Sequence, residues 1–224
     1  MILYEDNHIL VANKPAGIVT QPTSQDTSKN LEDTLKEYLK KKYKKSGNIF
    51  LHAVHRIDRQ VSGIVIFAKT SKALSRLNSS MREQKITKIY HALVEGIIGT
   101  INDEVVLEHY IKHDRLEARV SIKQEKDFKE AILKYKILKI VKNSSFIEIS
   151  LTTGRYHQIR AQLSFAGFPI VGDKKYGSKT HFTYNGIALH SRYLEFVHPV
   201  TKEIIKITAD YSVEWKNFLL AIPH

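Results

Sequence analysis

The sequence predicts a single α+β domain built on a mixed, largely antiparallel sheet flanked by helices. Segments rich in β-branched and aromatic residues outnumber the helical segments, and several follow one another directly, which favours this class over a doubly wound fold. The 224 residues are 42% apolar, enough for a substantial core. Because no repeat and no long Pro-, Gly- or Ser-rich linker interrupts the chain, residues 1–224 are expected to form one domain.

The first elements are a buried strand and a capped helix. Residues 9–13 predict the strand, Lys14–Gly17 a turn, and residues 18–29 a polar loop. Asn30 is a favourable N-cap with Asp33 three residues later, so a helix should follow. Its apolar face is expected to comprise Leu31, Leu35, Tyr38, Leu39 and Tyr43.

Strands dominate the rest of the chain. A strand at 64–68 precedes a helix expected to be capped by Ser71. The composition then predicts strands at 86–96, 119–123, 131–141 and 146–154. A short helix over 157–166 should end at Gly167, and strands at 188–197 and 203–208 lead to a last helix around Trp215.

The charge and the cysteine content limit the class of protein. A formal net charge of +12 indicates a positive face that attracts polyanions, which include nucleic acid and anionic membrane. Glu5, Asp6 and Lys14 interrupt the start where a signal peptide would be apolar, and apolar runs such as Ile64–Ala68 are far shorter than the roughly 20 residues that cross a bilayer. With no cysteine, disulfides and thiolate chemistry are excluded. A cytoplasmic protein without a membrane partner is expected.

The segment 55–63, HRIDRQVSG, places one carboxylate between two arginines immediately before a buried strand. The adjacent guanidinium groups of Arg56 and Arg59 would lower the pKa of Asp58 and keep it ionised, the state that a carboxylate nucleophile or base needs. A structural Asp–Arg pair beside a turn fits the same local pattern.

A second segment, 153–160, places a turn glycine before a helix, with Arg155 at the helix N-terminus and Arg160 inside its first turns. Helix N-termini and arginine side chains both suit phosphate or carboxylate. The same residues could instead cap the helix and pair with acidic neighbours. Six lysines lie between Lys36 and Lys45, where RNA contact and a solvated helix end are equally compatible with the sequence.

Metal, nucleotide and hydrolase chemistry are not indicated. The eleven histidines lack accompanying carboxylates at a ligand spacing, and the loop 172–177 lacks a Walker pattern. Ser62, His55 and Asp58 could supply a hydrolase triad, yet no nucleophile-elbow sequence accompanies them. Neither a metal nor a cofactor is therefore expected.

Five segments in order resemble the signature blocks of the RluA-type pseudouridine synthases: 13–17, 55–63, 87–96, 153–177 and 188–201. The departures are modest. Ile57 stands where leucine is usual, Val61 where threonine is usual, and Gln162 and Phe168 where histidine is frequent. None of them changes a charged catalytic position.

The resemblance implies a cofactor-free isomerisation of uridine in RNA, with base flipping. It assigns Asp58 as the carboxylate that attacks or deprotonates the target nucleotide, and Tyr90 as the tyrosine that packs on the target base. Arg155 would form a salt bridge with the catalytic aspartate. Arg56 would fill the gap left by the flipped base, and Leu189 would line the pocket.

The resemblance also bears on partners. Lys14 and Arg160 are expected among the residues that bind substrate RNA, which would be ribosomal or transfer RNA. A monomer without an obligate protein partner is expected, and so is a short form without an N-terminal RNA-binding domain, because the blocks begin by Asn13. The alternative is a catalytically inactive RNA-binding or ribosome-assembly protein on the same fold.

Overall fold

The computed structural model describes residues 1–22, 30–141, 143–183 and 185–220, so residues 23–29 of the predicted polar loop lie outside it. The chain divides into two compact units. The first unit comprises Met1–Thr87 and Ser191–Asp210, and the second comprises Lys88–His190 and the segment that begins at Tyr211. No helix in the described part of the chain is both long and apolar enough to cross a membrane.

The first unit contains a sheet and two helices. Its strands are β1 (Ile2–Glu5), β2 (Ile9–Lys14), β3 (His52–Ala53), β4 (Ser62–Ala68), β10 (Leu189–Val197) from Ser191 onward, and β11 (Ile204–Thr208). Its helices are α1 (Leu31–Lys42) and α2 (Ser71–Arg82). The strand order is β1-β2-β4-β10-β11, with β3 paired to β4. The pairs β1–β2, β2–β4, β3–β4 and β10–β11 are antiparallel.

The second unit has strands in the order β5-β9-β8-β6-β7, and these neighbours all pair antiparallel. The strands are β5 (Thr87–Glu95) from Lys88 onward, β6 (Glu104–Asp114), β7 (Glu117–Ser121), β8 (Lys129–Val141) and β9 (Ser144–Leu151). The helices are α3 (Gln158–Phe165) and α4 (Val213–Leu220), with a 3-10 turn at Lys174–Tyr176. The predicted α+β class with largely antiparallel strands is confirmed.

Helix α1 begins as predicted. The Asn30 side chain accepts a hydrogen bond from the backbone N–H of Asp33 at 2.9 Å. Leu31, Leu35 and Leu39 are buried at helical spacing. Tyr43, predicted on the same face, follows the helix and is 45% exposed, so that part of the prediction is wrong.

The lysine-rich end of α1 is partly neutralised within the first unit. Lys36 pairs with Glu32 at 2.7 Å, and Lys42 pairs with Glu5 at 2.8 Å. Of the other four lysines, three are exposed and one is half-buried. Contact of this end with RNA stays a prediction.

The sequence did not predict three short or polar strands, and it predicted the wrong N-cap residue for one helix. β1 and β3 are only four and two residues long, and β6 mixes charged and histidine residues with its apolar ones. Helix α2 is capped by Thr70 and not by Ser71, because the Thr70 hydroxyl accepts from the backbone N–H of Ala73 at 3.2 Å.

Strand β4 is buried along its whole length, which makes it the centre of the first unit. Its residues Ile64, Ile66 and Ala68 share a core with residues of β2, α2, β10 and β11. Gly63, near the start of β4, has φ of +116°, and a Cβ there would lie 2.3 Å from the backbone oxygen of Ser191. Only glycine therefore allows this close approach of β4 and β10.

We predict that Gly63→Ala lowers the free energy of unfolding by about 3 kcal/mol or more, because the added methyl meets backbone and the dihedral is strained. Thermal denaturation measures the loss. Gly47→Ala is the control, because nothing lies within 4 Å of a Cβ at that position. Equal melting temperatures for the two variants would contradict the close approach.

Candidate functional site in the Asp58 loop

The Asp58 loop, residues 54–61, connects β3 to β4 in the first unit. Asp58 is half-buried, and Arg56 and Arg59 are exposed on either side. The backbone N–H of Val61 donates to the carbonyl of Asp58 at 3.0 Å, which closes a turn just before the buried strand. The turn is followed directly by β4, the buried central strand of the unit.

The residue before Asp58 is held by Thr20. The Thr20 hydroxyl donates to the carbonyl of Ile57 at 3.1 Å and accepts from the Ile57 backbone N–H at 3.4 Å. Both backbone polar groups of Ile57, which is itself buried, are thereby satisfied by one buried side chain. This fixes the backbone on the N-terminal side of the carboxylate.

The residue after Asp58 is held by the segment that follows β2. The Gly17 N–H donates to the Arg59 carbonyl at 2.8 Å, and Arg59 Nε donates back to the Gly17 carbonyl at 2.9 Å. Asp58 therefore sits between two anchored residues, and its position depends on chain that is about 40 residues away in sequence.

The buried side chain of Lys14 also holds the Asp58 loop against the segment that follows β2. Its side chain has no exposed surface, and Nζ donates to the carbonyls of Pro15 at 3.0 Å, Ile18 at 2.7 Å and Arg59 at 3.2 Å. The predicted turn position is wrong, because Lys14 is the last residue of β2. Contact with RNA stays a prediction for Lys14, and its burial favours support of the loop instead.

Burial lowers the pKa of Lys14 to about 7, with the negative charge of Asp58 raising it and the positive charge of Arg59 lowering it. The ammonium of Lys14 and the carboxylate of Asp58 therefore attract each other. Since charge burial is costly without partners, the three carbonyl oxygens and this carboxylate explain how a lysine is accommodated here.

The environments of His55 and Ser62 suggest structural roles for both side chains. The Nε2 atom of His55 accepts a hydrogen bond from the backbone N–H of Ile66 at 3.2 Å, and Ser62 is buried in β4. These contacts support a role of both side chains in fixing the loop to the strand.

Four sequence-predicted residues, Tyr90, Arg155, Arg160 and Leu189, lie in the second unit. Tyr90 is in β5, 7% exposed and opposite Ile149 of β9. Leu189 is the buried first residue of β10. Arg155 is exposed three residues before α3, and its Nε donates to the carbonyl of Glu130 at 2.8 Å.

Gln158, which the sequence analysis did not single out, organises the loop that carries Arg155. Its side-chain oxygen accepts from the Arg155 backbone N–H at 2.9 Å and from the Thr153 hydroxyl at 2.9 Å. Its side-chain nitrogen donates to the Ile132 carbonyl at 3.1 Å. The place of Gln158 at the first position of α3 was the available signal, but a buried amide cannot be told from an exposed one in sequence.

Arg160 makes a buried ion pair. Its Nε and a terminal nitrogen lie 2.7 and 2.9 Å from the two carboxylate oxygens of Asp173, and both residues are at most 3% exposed. The geometry favours a structural role, as the acidic-neighbour alternative expected. Contact of Arg160 with substrate stays a prediction.

Lys88 is a further cation that the sequence analysis missed. It is half-buried in β5, burial lowers its pKa, and its Nζ lies 3.8 Å from the position of a Cβ on Gly154. The lysine is therefore next to the loop that carries Arg155. Among the residues that the structure describes, no three His, Cys, Asp or Glu side chains are grouped so that they could hold a metal ion.

Comparison of the sequence with known proteins finds matches to RNA pseudouridine synthases. A family model described as RNA pseudouridylate synthase matches residues 8–165. An uncharacterised RNA pseudouridine synthase of Bacillus subtilis is 34% identical over 208 residues, 93% of this chain and 68% of that protein. A ribosomal large subunit pseudouridine synthase C of Buchnera aphidicola is 35% identical over 228 residues, 99% of this chain and 70% of that protein.

A similar fold occurs in a solved structure of human RNA pseudouridylate synthase domain containing 4. The TM-score is 0.80 at 21% identity, and the match covers 98% of this chain and 91% of that one. This likeness concerns the fold.

We predict that Lys14→Met lowers the free energy of unfolding by about 2 kcal/mol, because the carbonyls of Pro15, Ile18 and Arg59 lose a shared donor. Chemical denaturation measures the change. Lys41→Met is the control, since Lys41 is exposed on α1. Equal losses for the two variants would contradict the role given to the buried ammonium.

The difference in stability between the wild type and Lys14→Met should also depend on pH. The pKa of Lys14 is about 7 in the folded protein and 10.5 for an ordinary lysine. At a pH between these two values, Lys14 is therefore protonated in the unfolded chain and mostly neutral in the folded protein. Unfolding free energy then rises with pH across that window. The advantage of the wild type over Lys14→Met should therefore widen as pH increases, and parallel stability curves would count against a titrating buried lysine.

Proposed function

Because the chain belongs to the RNA pseudouridylate synthase family, we propose that it isomerises specific uridines of ribosomal or transfer RNA with Asp58 as the catalytic carboxylate. Large-subunit ribosomal RNA is the first candidate substrate, since a relative that is 35% identical is named for the ribosomal large subunit. The family makes the chain an RNA-modifying isomerase; the target and the mechanism are the proposal.

The reaction exchanges one bond to the ribose for another. The bond between C1′ and N1 of uracil breaks, the base rotates, C1′ bonds to C5, the hydrogen of C5 leaves as a proton, and N1 takes up a proton, so the product is an isomer of the substrate. Neither an oxidant nor a phosphoryl donor enters this balance. The proposal therefore includes no cofactor and needs from the protein an anionic group, a closed pocket and a way to move one proton.

The anchoring of the Asp58 loop carries the proposal. Ile57 is bonded on both its backbone groups to Thr20, and Arg59 is bonded to Gly17 and Lys14. A carboxylate that must attack or deprotonate one atom of a nucleotide needs such fixed geometry, because misplacement by about 1 Å costs roughly a hundredfold in rate.

The other residues receive roles toward the flipped base. We assign Tyr90 to packing on the target base, supported by its burial in β5, and Leu189 to the pocket wall, supported by its burial in β10. Arg155 is assigned to pairing with Asp58, supported by the Gln158 bond that fixes its backbone. Arg56, which is exposed, is assigned to the gap left by the base.

RNA binding and base flipping need a source of free energy. Removing a base from its stack costs a few kcal/mol, which phosphate contacts and packing of the flipped base must offset. The net charge of +12 supports strong, salt-dependent phosphate contacts. Action as one monomeric catalytic domain in the cytoplasm, without an obligate protein partner, completes the proposal.

We predict that Asp58→Asn lowers the rate of pseudouridine formation by at least about a thousandfold while RNA affinity stays within a few-fold, because asparagine keeps the shape but supplies no anionic oxygen. Nucleoside mass spectrometry of modified RNA measures the rate. Asp210→Asn is the control with the same charge change, since the Asp210 side chain is 90% exposed.

Comparable turnover by Asp58→Asn and Asp210→Asn would refute the assignment of Asp58. If the wild type binds RNA tightly yet modifies neither ribosomal nor transfer RNA, the alternative of an inactive RNA-binding protein replaces the proposal.

A further inference from the structure

Three aromatic rings, those of His113, Tyr156 and His157, contact one another in that order on the surface of the second unit and are here called the ring stack, although only the Tyr156–His157 pair is near-parallel. The ring centroids of Tyr156 and His157 are 3.8 Å apart with planes 19° from parallel. Those of His113 and Tyr156 are 4.0 Å apart at 41°. His113 is exposed and Tyr156 is 39% exposed, so the outer end of the stack faces solvent.

The inner end of the ring stack is tied to the core. His157 Nδ1 lies 2.9 Å from the Tyr176 hydroxyl, which also accepts the backbone N–H of Ala118 at 2.9 Å. The guanidinium of Arg160 lies 5.0 Å from the centre of the Tyr176 ring. A continuous series of contacts therefore leads from the buried Arg160–Asp173 pair to the exposed rings.

The backbone of the ring stack is also fixed. His157 has φ of 52° and ψ of 23°, a left-handed conformation that a residue other than glycine adopts at a cost in strain. The Tyr156 hydroxyl donates to the Leu116 carbonyl at 3.3 Å in the turn between β6 and β7. Rigid, exposed aromatic rings are what a nucleobase stacks on with little loss of entropy.

Cations border the ring stack. Lys175 Nζ donates to the same Leu116 carbonyl that the Tyr156 hydroxyl contacts. Arg115 is exposed and adjoins Leu116 in the chain. Aromatic faces next to cationic side chains are the combination that binds single-stranded nucleic acid.

We propose that the ring stack is a platform on which an unpaired base of the bound RNA stacks, with Arg115 and Lys175 available to the adjoining phosphates. This inference rests on the proposed function for its choice of RNA as partner. It adds a binding surface to the residues that contact the reacting uridine. The residue that determines the platform is Tyr156, because its ring joins the two imidazoles.

The test compares two fluorescently labelled RNA probes at one salt concentration: a stem-loop with an unpaired, uridine-containing loop, and a fully paired duplex of the same length. Tyr156→Ala should weaken binding of the stem-loop by about fivefold to a hundredfold, because stacking is lost, and leave duplex binding nearly unchanged. His113→Ala should shift the stem-loop affinity in the same direction.

Two further variants separate the ring from the rest of the surface. Tyr156→Phe keeps the ring and loses the hydroxyl that bonds to the Leu116 carbonyl, so it should bind the stem-loop nearly as the wild type does. Leu116→Ala removes an exposed apolar side chain, 62% exposed, without removing a ring, and should bind normally. Thermal melting of each variant shows that the fold is retained.

Stem-loop affinity unchanged in both alanine variants would overturn the platform, and so would an equal loss on the duplex or a failure of Tyr156→Phe to restore binding. These outcomes are distinct from failure of the proposed function. A wild-type protein that makes no pseudouridine but binds the loop in a ring-dependent way keeps the platform, whereas normal turnover with ring-independent affinity discards it.

Discussion

Hydrogen bonds from the segment Lys14–Thr20 to the backbone on both sides of Asp58 are the constraint that fixes the Asp58 loop in the first unit. Thr20 occupies both polar groups of Ile57, and Gly17 and Lys14 share the carbonyl of Arg59. The segment can do this because β2 and β4 pair in register, with Lys14 opposite Gly63. Gly63 in turn allows the backbone of Ser191 to approach. Sheet geometry thus determines where the carboxylate lies.

In the second unit, the buried side-chain amide of Gln158 fixes the loop that carries Arg155. Gln158 binds the backbone of Arg155 and the side chain of Thr153, and it reaches Ile132 in β8. In both units an exposed or half-exposed charged residue is carried by a loop whose backbone is fixed by buried polar side chains. Such supports cost little stability when every donor finds an acceptor, and they keep a reactive group in one position.

Much of this arrangement could be predicted from the sequence. Long apolar or alternating segments gave the strands β2, β4, β8 and β10, and Asn30 gave the start of α1, because periodicity and capping are local properties. The Asp58 loop was predicted by its charge pattern and by its resemblance to one family. Strand β6 was not predicted, since its pairing with β8 compensates for a mixed, charged sequence. The burial of Lys14 and Arg160 depends on partners distant in the chain, Arg59 and Asp173, which a local pattern does not reveal.

The most direct test of the account measures chemistry after one support of Asp58 is removed. RNA that carries tritium at C5 of uridine releases it to water when C5 bonds to the ribose, so release reports the isomerisation itself. Thr20→Val keeps the side-chain shape and removes the hydroxyl that holds Ile57. In single-turnover measurements with saturating enzyme, the account predicts release slowed by roughly tenfold to a hundredfold, with RNA affinity unchanged and Thr20→Ser near the wild type. Release by Thr20→Val at the wild-type rate would contradict the claim that this anchoring positions the catalytic carboxylate.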